Sequence, residues 1–275
     1  MFSKSYNFAT IAVVASLLIS CGSNNEPPSS ASSDSSSTDT NTNYTVRATT
    51  SNMGYNTFYK QYCEVYGLDV LSSDLTDDNA LYHVCYQIDN LFKDSATRES
   101  ILSKMKSNNM LVAIMDKTEV TTDIPEHSDL PSSPWDTYRG LGATTARPAS
   151  SAAEENILCY TGDKYTGENI FIHEFAHSIH LMALNYLDGT FTTRLTNAYN
   201  AAIGGGKWSN TYAATNAQEY WAEGVQSWFN ANREAEPADG VHNHVNTRSE
   251  LLAYDKTLHD LIAEVFSTTF QPACP

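Results

Sequence analysis

The stretch from Ile170 to His180 reads IFIHEFAHSIH and sets three histidines and one glutamate in an otherwise apolar run. Its pattern predicts a helix from Glu168 to Leu187, with Thr166 as cap and Gly189 just past the end. Apolar residues lie on nearly every side, so this helix belongs at the centre of the fold, and polar groups buried on it need partners. No other feature constrains the chain as strongly. Whatever the fold is, it must bring to this helix something that satisfies more than one imidazole at once.

His173 and His177 are four residues apart, so their rings leave one helix face a single turn apart and can converge on one ion. Glu174, rotated by about 100 degrees from His173, stands beside that ion without binding it. Neutral imidazoles suit Zn2+, one ion per chain, which takes tetrahedral nitrogen and oxygen ligands and in catalytic sites keeps one position open. Glu174 then has the place of a general base that takes a proton from an attacking water and delivers it to a departing peptide nitrogen. HExxH arises by chance in on the order of one chain in a hundred of this length, so a third ligand must be found. A histidine six positions after His177, as in metzincins, is missing, since that position is Ala183. His180 follows His177 by three, but three ligands from successive turns of one straight helix would splay along its axis. His180 is therefore expected to back a ligand or face a substrate.

Downstream, TNAQEYWAEGVQSWF opens with Thr215 and Gln218 as a capping box and carries Glu219 and Glu223, again four apart. One carboxylate can reach the ion while the other accepts a hydrogen bond from a ligand imidazole and fixes its tautomer. This layout resembles the gluzincin metallopeptidases, in which HExxH is followed by a helix with ExxxD or a relative; here the second motif is ExxxE. The likeness sharpens at Tyr212, seven residues before Glu219 in NTYAATNAQEYWAE. The catalytic domains of the lethal factor type and the secreted Pro-Pro endopeptidases look similar there, with HEFxH, a tyrosine, and seven positions on the zinc-binding glutamate. The resemblance implies Glu219 as third ligand, Glu223 as the acid behind a ligand, and Tyr212 as the hydroxyl that stabilises the oxyanion. It covers His173 to His180 and Tyr212 to Phe229, with weaker similarity in the C-terminal helix. His180 stands where lethal factor has an acid, and Pro-Pro cleavage is not implied.

The chain begins differently. Lys4 is followed by FATIAVVASLLIS, Phe8 to Ser20, which is too short to span a bilayer in a folded protein and reads as an export signal. It ends in LLISCG, which resembles a bacterial lipobox with Cys21 as the lipidated residue. Acyl chains there would anchor the protein to a membrane at about 0.8 kcal/mol per buried methylene. Gly22 in place of aspartate points to the outer membrane in a host that has two. Residues 1–21 are thus expected to be a lipoprotein signal, the Ser-rich segment 22–50 a disordered tether, and 51–275 the folded domain. Cys63, Cys85, Cys159 and Cys274 remain, an even number in an exported chain. Of three possible connectivities, Cys63 with Cys85 and Cys159 with Cys274 is preferred, because the first pair falls on neighbouring predicted helices.

Within the domain, Phe58, Tyr62 and Val65 are in step for a short helix that Gly67 would stop, and DDNALYHVCYQIDNLFKD and ATRESILSKM predict two more. MLVAIM, Met110 to Met115, predicts a buried strand, and NILCY, Asn156 to Tyr160, a second. Between them DIPEHSDLPSSPWDTYRGLGA is a long loop of the kind that borders clefts, with Arg139 expected in a surface ion pair. Gly204 to Gly206 form either a flap hinge or a plain connector. TRSELLAYDKTLHDLIAEVF predicts one packing helix with Thr247 and Glu250 as a capping box. The expected fold is α+β, a gluzincin-like metallopeptidase domain that is mainly helical with a small sheet, acting on a polypeptide substrate. A formal charge of -16 argues against a nucleic-acid partner. Two other functions fit the same residues: a catalytically inactive zinc-containing binding lipoprotein, and a zinc hydrolase of non-peptide amides such as cell-wall fragments.

Overall fold

The computed structural model describes residues 44–266 and 270–272. The expected signal, Cys21 and Cys274 lie outside the described residues. Six strands form one mixed sheet in the order β1-β2-β3-β4-β6-β5: β1 (Arg47–Ala48), β2 (Gln61–Val65), β3 (Leu68–Ser72), β4 (Leu111–Met115), β5 (Gly140–Leu141) and β6 (Ala149–Ala153). β3, β4 and β6 run parallel, whereas β1, β2 and β5 pair antiparallel with their neighbours. Arg47 and Ala48, which composition assigns to the tether, pair as β1 with Tyr62 and Gln61.

β4 is apolar at every position because both faces of the sheet are covered. Val112 and Ile114 join the main core, while Leu111, Ala113 and Met115 join a smaller cluster with Tyr59, Leu71 and Ile124. The main core lies between the sheet and α1 (Asp78–Leu91), α2 (Arg98–Ser107) and the helices that follow. Asp77 caps α1 by accepting from Asn79 N at 2.8 Å. Two single turns, α3 (Ser132–Trp135) and α4 (Glu154–Ile157), interrupt the connections on either side of β5 and β6.

Two expected elements are replaced. The predicted helix through Phe58, Tyr62 and Val65 is the hairpin β2–β3, in which Val65 pairs with Leu68 and leaves Tyr66 and Gly67 as a two-residue loop. Both loop residues have positive φ, 51° and 78°, as a type I′ turn requires. Gly67 therefore turns a hairpin and does not stop a helix. Cys63 and Cys85 do form a disulfide, and it joins β2 to α1 rather than two helices. Likewise NILCY is not a strand. The strand beside β4 is β6, ASSAA, and Asn156 already belongs to α4. Its small side chains give no apolar signal but allow a helix to lie close against the sheet.

The helical half comprises α5 (Ile170–Ile179), a π-helical turn at His180–Leu184, α6 (Asn185–Leu187), α7 (Phe191–Gly204), α8 (Ala217–Trp228), α9 (Arg248–Tyr254) and α10 (Lys256–Ala263). The predicted single C-terminal helix is thus two. The Thr247–Glu250 capping box starts α9, and the chain breaks at Asp255, φ -139° and ψ 77°, whose side chain caps α10. Asp255 is 2% exposed and also accepts from Trp208 Nε1 at 3.0 Å and Tyr220 Oη at 2.8 Å. The glycine-rich connector after α7 is pinned by the same group, since Trp208 is buried and its N–H donates to Tyr254 Oη at 2.7 Å. α10 lies so close to α8 that a Cβ at Gly224 would stand 2.5 Å from Leu258 Cδ2. No helix among the described residues is long and apolar enough to cross a membrane.

Candidate metal centre

α5 is built for burial and for a fixed start. Its cap is Asn169, not the expected Thr166: the Asn169 side chain accepts from Ile172 N at 3.0 Å and donates to Gln87 Oε1 on α1 at 3.1 Å. α8 is capped by Asn216, one residue after the expected Thr215, through bonds from Gln218 N and Glu219 N at 2.8 and 2.9 Å. Trp221 of α8 donates to Ala176 O of α5 at 2.9 Å, which fixes the two helices face to face.

Between them His173 Nε2, His177 Nε2 and Glu219 Oε2 meet. The rings are 3.1 Å apart at Nε2, and Glu219 Oε2 lies 3.2 Å from His173 and 3.1 Å from His177. Ligands held about 2.0–2.1 Å from a four-coordinate ion stand about 3.3 Å from each other by tetrahedral geometry, so this triangle fits one small cation. The three form the one metal-capable group of histidine, cysteine and acidic side chains among the described residues.

The tautomers also fit. His173 Nδ1 is 2.8 Å from Gln226 Oε1, an oxygen that can only accept, so the proton sits on Nδ1 and the lone pair on Nε2 points into the triangle. Gln226 is fully buried and donates in turn to Asn169 O at 3.3 Å. Glu223, the acid expected behind a ligand, lies 3.5 Å from the same Nδ1, while Asn232 Nδ2 donates to its other oxygen at 3.0 Å. Gln226 is therefore the nearer partner of His173. It was legible in principle, because 219, 223 and 226 share one helical face.

The buried acids and imidazoles shift one another. Burial pushes the Glu223 and Glu174 carboxyls above their ordinary range, with His173 opposing it in both. Burial would likewise raise Glu219, but His177 and His173 hold it well below the carboxylate range. Burial alone would lower His173; the hydrogen bond with Glu219 and the charges of Glu174, Glu219 and Glu223 instead push it up to about 10. Three buried acids around two imidazoles are costly unless positive charge joins them.

Glu174 is not part of the triangle and packs against β5, where a Cβ at Gly140 would stand 2.9 Å from its Cγ. Tyr212 stacks over His173, with ring centroids 6.3 Å apart. Burial is the first cause that pushes its phenol upward, with Glu219 next, so it stays a donor. His180 is elsewhere. Its Nε2 is 3.0 Å from Thr192 Oγ1 and its ring packs on Phe191, so it backs neither ligand, and at 2% exposure it faces no cleft. Cys159 is disulfide-bonded, and its expected partner lies beyond the described residues.

The fold and site define an α+β protein with a His-His-Glu centre able to hold a metal ion. The sequence matches no family model and no curated protein. Among solved structures it aligns with the Pro-Pro endopeptidase of Paenibacillus alvei at 18% identity, over 60% of this chain and 80% of that one, with a TM-score of 0.30. So low a TM-score leaves the residues themselves to carry the functional argument.

Proposed function

We propose that this chain is a zinc-dependent endopeptidase of the gluzincin type. The observation that carries the reading is the convergence of His173, His177 and Glu219 from two helices, with Glu174 beside them and free of the triangle. His173, His177 and Glu219 would hold the zinc, which when bound supplies Lewis acidity at the scissile carbonyl. Glu174 takes the proton of the attacking water and passes it to the leaving nitrogen, a role suited to a carboxyl raised by burial. Tyr212 donates its hydroxyl hydrogen to the oxyanion that develops. Gln226 keeps His173 in the tautomer that presents Nε2.

β5 is the terminal strand of the sheet order and borders Glu174, so an extended peptide can add to its outer edge. Such binding reads backbone first, which supports a polypeptide substrate. We further propose that residues 1–21 export the chain as a lipoprotein and that lipid on Cys21 holds the domain at a membrane of the cell envelope.

Glu174→Gln tests the chemistry. The variant is expected to keep one zinc per chain while peptide cleavage falls by at least about 100-fold, within the range assigned to general-base catalysis. Undiminished cleavage with zinc bound would remove Glu174 from the reaction.

A further inference from the structure

β5 is only two residues long, too short for its ladder alone to fix it, yet it touches the most sensitive part of the site. A Cβ at Gly140 would stand 2.9 Å from Glu174 Cγ, and one at Gly142 would stand 2.6 Å from His177 Cβ. The strand is held at both ends by buried side chains that take no part in metal binding. Before it, Arg139 is 9% exposed. It forks onto Glu155 with Nε to Oε1 at 2.6 Å and Nη2 to Oε2 at 3.0 Å, and donates to the carbonyls of Asp116, at 2.9 Å, and Glu119. Those groups follow β4 and β6, so Arg139 ties the entry of β5 to the ends of two central strands. The expected surface ion pair is instead a buried clamp. After β5, Ala143 N donates to Ser178 Oγ at 2.8 Å, and the Ser178 hydroxyl donates to Glu174 O at 2.8 Å. Ser178 is fully buried.

Residues 140–142 lie between these two anchors, and a Cβ at Gly142 would also stand 3.2 Å from Glu174 O. We infer that Arg139 and Ser178 are positioning residues that hold the edge at residues 140–142 against α5 and so fix where Glu174 stands. Local geometry supports no cheaper arrangement. A bare glycine is required for the approach to His177, a glycine segment does not hold its own conformation, and fixing it needs outside contacts at each end. The Arg139 guanidinium satisfies Glu155 and two carbonyls at once with its planar fork, which Lys cannot do.

The inference rests on the peptidase reading for its kinetic consequence, and its test includes a measurement that does not. In the zinc-loaded full chain labelled with 15N-glycine, the Gly140 and Gly142 amide resonances are expected to move in Arg139→Gln and, separately, in Ser178→Ala. With a peptide substrate, Arg139→Gln and Ser178→Ala should each lower kcat by about tenfold to 100-fold, as misplacement of a reacting group does, with KM within about twofold and zinc at one per chain. Ser178→Ala removes a single hydroxyl and so serves if Arg139→Gln fails to fold. Should the wild-type chain cleave no peptide, the functional reading fails, and the Gly140 and Gly142 resonances of the two variants alone decide the clamp. Resonances unmoved in both Arg139→Gln and Ser178→Ala, or a kcat that falls only in step with lost zinc, overturn the inference.

Discussion

The two walls that flank Glu174 are made in opposite ways. On one side α5 and α8 present His173, His177, Glu219, Glu223 and Gln226 at helical intervals, and each helix carries its own cap. On the other side β5 contributes two residues, and its position depends on partners distant in sequence, Glu155 for Arg139 and Ser178 for Ala143. The helix wall stores its geometry in local periodicity. The strand wall borrows it from the rest of the fold, so damage should reach metal affinity from one side and reaction geometry from the other.

The sharpest way to break that division is Glu219→Ala. Two neutral imidazoles would remain, and zinc affinity measured by competition with a chelator should fall beyond the roughly 100-fold seen for outer partners of a metal site. Gln226→Ala should do less, about 10–100-fold in the same titration, because His173 stays but its tautomer is no longer imposed. If Gln226→Ala leaves affinity untouched, Glu223 holds the ring instead. On the strand wall, Gly142→Ala forces a Cβ against His177 and should cost about 1–3 kcal/mol in urea unfolding, the usual penalty of overpacking. Zinc retained alongside reduced turnover would confirm that the walls are separable.

The smallest effect concerns the loop that leads to β5. His127 is 1% exposed with neither ring nitrogen hydrogen-bonded, and burial, then Arg147, lowers its pKa from 6.5 to about 4. The unfolded chain therefore binds more protons between those values. Stability should fall as pH drops below about 6.5, by about 1 kcal/mol over the first unit, and level off near 4. His127→Leu should flatten that part of the profile; an unchanged slope would show that other groups produce it.

The same contrast governs what could be read from residues alone. The approach of His173 to His177 and of Glu219 to Glu223 follows from a repeat of four, and MLVAIM announced a strand covered on both faces. The hairpin at Gln61–Ser72 misled because Phe58, Tyr62 and Val65 happen to fall in helical step, while the period-two signal of Cys63 and Val65 is only two residues deep. β6 was hidden because Ala and Ser carry little hydrophobic signal. His180 meets Thr192 and Phe191, which belong to a separate helix, α7, that no spacing rule places beside it. The burial of Arg139 could not be anticipated either, since its partners lie at the ends of strands whose adjacency is a property of the whole sheet. Side chains on a common helix face are a local fact, and neighbours across a sheet are not.

Asp255 gives the molecule an indirect dependence on its tail. One carboxylate accepts from Trp208 in the connector and from Tyr220, the residue next to Glu219, and so braces the ligand-bearing helix from behind. A shortened version ending before α9 would retain His173, His177 and Glu219 but lose the carboxylate that stands behind Tyr220. A fragment that keeps this brace has to run past Glu219 as far as Asp255.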